Sequence, residues 1–494
     1  MTENKTETSL NRQLDLENIK RRSIAGILAI TSRTFLLQIL AFVATFLLTI
    51  FLEPQEYGIF FIVSAVVNFL VYFSDVGLAA ALIQKKDKLQ QKDYATTFTI
   101  QQILVISLSA ISLWASTFIA RFYNLSADGL WLYRSLVIAF FLSSLKTIPS
   151  VKLERRLKFN LLIIPQIVEN VFFYSIAVYM AWKGFGVTSF SVAVLARGIS
   201  GLITIYILAP WWPKISFSKK AAKKLLNFGI PFQLNSILAL IKDDFLTAFL
   251  GKILPLAQVG FLGWAQRWSL FPLRMFMDSI NKVTFPAYSR LQKHKRSLTK
   301  AIDKSLFFVS LTIFPALIGL IATAPALVRL IPRYQKWEPA LLALSLFTIN
   351  SLWASISTTL TNTLAALGKI KTNLKLMAMW TSLTWIITPI LVFKIGYNGA
   401  ALAAAIVAFT SFIPMILVKR IVSINISGNV LPSFSLASIM GVVAYALSTK
   451  ATTLNQAIGV ILVSAILYVV LTLIVQGRRL KNEMNTIRKI LIRR

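Results

Sequence analysis

Apolar stretches of about 20 residues, the length that crosses a ~30 Å hydrocarbon layer, recur fourteen times between Ile24 and Gln476, and every second connection between them is basic. The expected spans are roughly 25–53, 57–83, 95–121, 130–150, 161–182, 188–209, 228–252, 256–283, 304–327, 338–365, 372–394, 398–418, 433–450 and 455–476. A mean hydropathy of +0.70 and 56% hydrophobic residues exclude an ordinary soluble domain. The expected fold class is all-α and polytopic.

Charge then orients the chain. With the start of the chain placed in the cytoplasm, 36 of the 52 Lys and Arg fall in the inner segments and eight in the outer connections. Basic residues are retained on the cytoplasmic side, so both termini are expected inside. The net charge of +34 is spread over short inner loops and a tail rather than one basic face. It therefore points to the anionic inner leaflet and not to nucleic acid.

Several chemistries are excluded. The chain has no cysteine, which removes disulfides, thiolate metal sites and thiol nucleophiles. Residues 1–24 carry no apolar run before a small-residue cleavage site, so the first span is expected to act as the insertion signal. Gly251-Lys252 and Gly368-Lys369 lack the upstream glycine and following hydroxyl of a phosphate-binding loop. The outer connections are too short to house a catalytic domain. No catalytic residue and no metal ligand set is expected.

The connection 210–226 is polar, basic and contains proline, and it divides the first twelve spans into two sets of six. The expected organisation is a cytoplasmic segment 1–24, an N-terminal lobe 25–209, the linker 210–226, a C-terminal lobe 227–418, an added helix pair 419–476 and a basic tail 477–494 read as an amphipathic surface anchor. The two sets echo each other: a similar phrase surrounds Pro54 and Gly58 in one and Pro255 and Gly260 in the other. Tandem bundles of this kind place a substrate between pseudosymmetric halves.

The stretch Leu52-Glu-Pro-Gln-Glu-Tyr-Gly-Ile-Phe60, continued by Phe73-Ser-Asp-Val-Gly-Leu78 and Ala81-Leu-Ile-Gln84, resembles the first hairpin of the bacterial polysaccharide biosynthesis and export family. These are Wzx-type flippases of the multidrug/oligosaccharidyl-lipid/polysaccharide (MOP) exporter superfamily. Asp243-Asp244, Gly260, Ala265-Gln-Arg267, Pro272 and Phe285-Pro-Ala-Tyr-Ser-Arg-Leu-Gln292 strengthen the resemblance, which is nearest to colanic and teichuronic acid exporters. Phe261 and Trp264 depart from that pattern. The resemblance implies two six-helix lobes, as in MATE-type transporters, plus a helix pair, and export of a lipid-linked oligosaccharide by alternating access.

Charges inside spans are costly and normally face a cavity or a partner. In the eighth span Trp264, Arg267, Phe271, Arg274, Asp278 and Lys282 recur at spacings of three and four and share one face. Arginine presents a planar fork suited to phosphate oxygens, so Arg267 and Arg274 are the candidate contacts to a lipid pyrophosphate headgroup; an internal ion-pair network is the alternative. Arg33 and Asp75 each lie about eight residues, ~12 Å, from the inner boundary and are read as a pair. Arg33 is a further candidate substrate contact and Asp75 a further candidate coupling acid. Asp243, Asp244 and Glu169 are the other candidate coupling acids, taking up H⁺ or Na⁺ in exchange for a cationic partner, or else forming permanent salt bridges; Arg197 is the expected partner of Glu169. Ser351, Ser355, Thr358 and Asn362 form a hydroxyl and amide face suited either to sugar hydroxyls or to helix packing. His294 is expected to be solvated.

The expected function is movement of an undecaprenyl-pyrophosphate-linked oligosaccharide from the inner to the outer leaflet of a bacterial plasma membrane, without covalent chemistry or a cofactor beyond a coupling ion. A monomer suffices, and the partners are anionic lipids and polysaccharide polymerase machinery. The alternatives are an organic-cation antiporter of the same superfamily, which the embedded cations disfavour, and a membrane polymerase or ligase, which the short outer loops disfavour.

Overall fold

The computed structural model describes residues 36–85, 89–156 and 158–492, and among these every regular element is helical. Eleven helices among the described residues are long and apolar enough to cross a membrane, and Leu36–Phe51 (α1) is a shorter apolar helix. The expected count of fourteen is therefore not reached by length and composition alone. The seventh and eighth expected spans are helical but are not among the eleven.

Several expected spans are broken. The second is α2 (Pro54–Phe73) followed by α3 (Leu78–Gln84), the third is α4 (Gln91–Trp114) followed by α5 (Ser116–Phe122), and the fourth continues from α6 (Ala127–Leu145) into α7 (Thr147–Arg155). Then come α8 (Phe159–Trp182), α9 (Thr188–Leu208) and α10 (Lys219–Leu240), which passes through a π-helical turn, Ile241–Phe245, into α11 (Leu246–Ile253). The remaining helices are α12 (Leu256–Leu291), α13 (Lys295–Leu330), α14 (Leu341–Ala366), α15 (Ile370–Ile395), α16 (Asn398–Phe409), α17 (Phe412–Lys419), α18 (Ile426–Lys450) and α19 (Leu454–Ile492).

The phrase around Pro54 is a helix start. Pro54 occupies the first helical position, where its missing N–H costs nothing, and the Glu56 carboxylate two residues later accepts the Glu53 backbone N–H at 2.7 Å. One turn on, Gly58 meets α12 so closely that an added Cβ would lie 2.0 Å from the Leu256 carbonyl oxygen. A Cβ on Gly260 would lie 1.9 Å from the Pro54 carbonyl oxygen. The two glycines of the echoed phrases thus face each other across a backbone-to-backbone crossing.

The described helices gather into two compact units. The first runs up to Phe51 and from Ile62 to Leu240; the second takes Leu52–Phe61 and everything from Ile241 onward. In the first unit, α9 packs along α8 and α6. A core of Leu78, Leu82, Phe98, Ile148, Trp211 and Leu225 ties α3, α4 and α7 to the start of α10. The strap before α10 is pinned to α4: the Ser216 N–H donates to the Thr99 hydroxyl and the Ser218 N–H to the Thr96 hydroxyl, each at 3.1 Å. In the second unit α18 lies along α13 and α14 along α12, over a core that includes Leu306, Phe314, Leu360 and Met440.

The last span continues as helix into the tail. α19 runs unbroken for 39 residues and is held to α13 by a 2.6 Å Lys304–Glu483 ion pair and by Arg479 lying 4.1 Å over the Phe307 ring.

Candidate functional site

The arginine face of α12 divides into two environments. Toward its amino-terminal end Trp264 is buried, stacked on Trp337 at 5.4 Å with the rings 9° from parallel, and its indole N–H donates to the Tyr334 hydroxyl at 3.2 Å. That part of the face is packing. Arg267, Arg274 and Lys282 further along it are exposed. The side chain of Asp278 lies outside the described residues.

The expected acids Asp243 and Asp244 sit in the π-helical turn between α10 and α11. Within the turn the Ile241 carbonyl accepts from the Trp385 indole, on α15, at 2.9 Å. Such π turns are frequent at functional sites. The Lys242 ammonium stands 3.5 Å from the Asp243 carboxylate. Both border a cavity of about 350 Å³ within the second unit, whose wall also includes Gln266, Thr358, Trp380 and Thr388.

The hydroxyl face of α14 is split as well. Ser351 and Ser355 are buried, and Ser355 donates to its own helix at Leu352, 2.7 Å away. Thr358 lines the cavity. The Asn362 amide donates to the Thr284 hydroxyl at 3.1 Å and the Asn281 side-chain oxygen at 3.4 Å, linking α14 to α12.

In the first unit Glu169 is a buried carboxylate between two cations, with Lys146 at 2.7 Å and Arg197 at 3.8 Å. The expected Arg197 is therefore the more distant partner. Gly201 makes room for the acid, since a Cβ there would lie 2.0 Å from the Glu169 Oε1. A cavity of about 320 Å³ opens beside Lys146, Glu154, Gln166 and Glu169.

Asp75 lies in the break between α2 and α3, where both carboxylate oxygens accept the Ala79 N–H at 3.1 Å. It restarts the helix by capping its first turn. Val76 and Gly77 turn the chain with φ of 47° and 74°. Arg33, its expected partner, lies outside the described residues.

The structure thus brings Asp243 and Thr358 to one cavity, with Arg267 next in sequence to the cavity residue Gln266, and Glu169 belongs to the other unit. Two features went unread in the sequence. Lys146 is the near partner of Glu169, and α15 carries Thr381, Thr384 and Thr388 at helical spacing, a polar stripe whose last two members reach the cavity. Among the described residues no group of three or more His, Cys, Asp or Glu is placed to hold a metal ion.

Residues 47–342 match the sequence profile of a family described as "Polysaccharide biosynthesis protein". The chain is 24% identical over 385 residues to an uncharacterized membrane protein in the cps region of Klebsiella pneumoniae, covering 76% of each. It is 23% identical over 368 residues to the lipopolysaccharide biosynthesis protein WzxC of Escherichia coli, covering 72% of this chain and 73% of that one. Among solved structures it superposes on the lipid II flippase MurJ in an inward closed conformation with a TM-score of 0.75 and 18% identity, over 92% of this chain and all of that one. An inward-facing multidrug resistance MATE transporter of the MOP superfamily gives 0.62 and 16%, over 78% and 95%. At these identities the structural likenesses speak for the fold alone.

Proposed function

The chain belongs to the polysaccharide biosynthesis protein family, and from that premise we propose that it moves a lipid-linked oligosaccharide across a bacterial inner membrane for cell-surface polysaccharide assembly. The match over residues 47–342 carries the reading. The exposed Arg267 and Arg274 on one face of α12 support an anionic cargo, because a pyrophosphate needs counter-charge while it crosses a low-dielectric layer.

In this reading the carrier is undecaprenyl pyrophosphate, Arg267 and Arg274 contact its headgroup with Arg33 as a third contact, and the α14 face from Ser355 through Thr358 to Asn362 addresses sugar hydroxyls. No bond is made or broken, so the chain acts as a transporter and not an enzyme. Both termini lie in the cytoplasm, the inner loops rest on anionic lipid, a monomer suffices, and the delivered glycan passes to polymerase machinery.

Coupling acts at embedded carboxylates. H⁺ or Na⁺ taken up by Glu169 releases Lys146, the same exchange at Asp243 releases Lys242, and Asp244 and Asp75 are the secondary positions. Glu169 is the foremost of these because it is buried with a cation at 2.7 Å.

The test is transbilayer movement of a fluorescent prenyl-pyrophosphate oligosaccharide in proteoliposomes. Native protein moves the lipid, and Arg267→Ala and Arg274→Ala each lower the rate by tenfold or more with the thermal melt unchanged. A native protein that moves none of it under any imposed H⁺ or Na⁺ gradient ends this reading.

A further inference from the structure

We infer that the cavity beside the π turn of the second unit is a subsite for one neutral pyranose ring of the transported glycan. The assignment rests on the flippase reading for the carrier of that sugar, and on the cavity itself for the rest.

Charge comes first. Lys242 and Asp243 are the only titratable residues among the described residues of its wall, and they stand 3.5 Å apart. With Lys242 and Asp243 paired the wall is electrically balanced, so an anionic ring finds no net counter-charge there.

Hydrogen-bonding capacity comes next. The hydroxyls of Thr247, Ser357 and Thr361 spend their protons on their own helices, at the carbonyls of Asp243 (2.8 Å), Ala354 (3.4 Å) and Thr358 (3.1 Å). They present lone pairs to the space between. The amides of Gln266 and Asn350, also on the wall, supply N–H donors as well as acceptors. A ligand that both donates and accepts at several positions matches that mixture, and a ring of hydroxyls is such a ligand.

Two further observations point inward. The Thr388 side chain lines the cavity, is fully buried, and its hydroxyl has no hydrogen-bond partner, a state that buried polar groups rarely keep unless something else satisfies them. The Trp380 ring is held by its indole N–H donating to the Thr410 hydroxyl at 2.9 Å. With Phe347 it gives the cavity flat apolar walls, the surface on which the C–H face of a pyranose lies. A volume of about 350 Å³ falls at the small end of ligand cavities and suits a single ring rather than an oligosaccharide.

The experiment is saturation-transfer NMR on the detergent-solubilised full chain with a panel of neutral methyl pyranosides, a methyl glucuronide and NaCl, comparing native protein with Thr388→Val and Gln266→Leu. Saturation reaches at least one neutral pyranoside, does not reach the glucuronide, and drops at least fivefold in both variants. Thr388→Val is close to isosteric and decides the matter alone if Gln266→Leu does not fold. No transfer to any neutral pyranoside, transfer undiminished in Thr388→Val, or displacement of the sugar by Na⁺ at the same site each overturns the subsite. Lipid-linked glycan that still moves in proteoliposomes while the cavity binds no sugar removes the subsite and leaves the flippase reading standing. Sugar bound at the cavity of a chain that moves no lipid-linked glycan does the reverse.

Discussion

At the scale of single residues, Glu169 shows how an embedded charge is tolerated and what disturbing it does. Its carboxylate is nearly sealed from solvent, with Lys146 at 2.7 Å and a more exposed Arg197 at 3.8 Å. Taking one partner from a buried pair leaves an uncompensated charge and costs about 3–5 kcal/mol, whereas replacing both by apolar groups of similar volume is close to neutral. Lys146→Met is therefore expected to lower stability by about that much, and Lys146→Met with Glu169→Leu to recover most of it, as read by thermal unfolding in detergent. The transport assay separates structure from coupling, because the double variant, stable again, loses its response to an imposed cation gradient if Glu169 is where the ion acts. A double variant that stays as unstable as the single one would mean that the pair is not the source of the loss. Nothing local recorded this partnership: Lys146, in the turn between α6 and α7, is 23 residues from Glu169 on α8, and the expectation that paired Arg197 with the acid had no means of ranking a second cation.

At the scale of elements, what the sequence made legible was repetition, and what it hid was interruption. The similar phrases around Pro54–Gly58 and Pro255–Gly260 were readable as an echo, and the structure brings them into mutual contact, each glycine set against the other helix's backbone. An alanine at Gly58 would place its Cβ 2.0 Å from the Leu256 carbonyl oxygen, and that atom is backbone, which cannot turn aside as a side chain does. Gly58→Ala and Gly260→Ala are each expected to cost about 1–3 kcal/mol through forced separation of α2 and α12. Gly459→Ala, with nothing within 4 Å of the added carbon, is expected to be neutral or slightly stabilising. Melting curves of the three variants decide the matter, and equal behaviour of all three would remove the crossing as a point of close packing. The breaks in the second and seventh spans were not legible, because what marks them is tertiary or stereochemical. The π turn holds a carbonyl that accepts from a Trp385 indole 144 residues away, and the α2–α3 break carries positive φ at Val76 and Gly77 with Asp75 capping the helix that follows. Apolar periodicity reads continuously through both. The candidate site was legible to the same extent: residue types with costly burial, such as Asp243 and Arg267, stood out at once, while ordinary threonines of α15 became informative only when folding put Thr384 and Thr388 on a cavity wall.

At the scale of the whole molecule, the strongest statement in the sequence is the 36 to eight division of basic residues, and a topology can be tested against it without reference to any side-chain contact. The chain contains no cysteine, so each introduced cysteine is the only thiol and a membrane-impermeant maleimide reports its side of the bilayer unambiguously. The charge division assigns Ala127 and Thr452 to outer connections and Ile215 and Gln292 to inner ones, and all four are exposed. Retention of Lys and Arg in the cytoplasm makes Ala127→Cys and Thr452→Cys react in intact cells, and Ile215→Cys and Gln292→Cys react only after permeabilisation. The first span is the decisive case, because the described part of it, Leu36–Phe51, is shorter than the about 20 residues a crossing requires. If the chain crosses fourteen times, Ser9→Cys is protected in intact cells and labelled after permeabilisation. If Ser9→Cys is labelled from outside while the other four behave as expected, the number of crossings is odd, the amino terminus is external, and the five basic residues before Ile24 have been carried across against the rule that orients the rest. Five labelled variants, each scored in intact and permeabilised cells, therefore separate a two-lobed exporter with an even count of crossings from a chain whose first apolar segment only lies against the membrane.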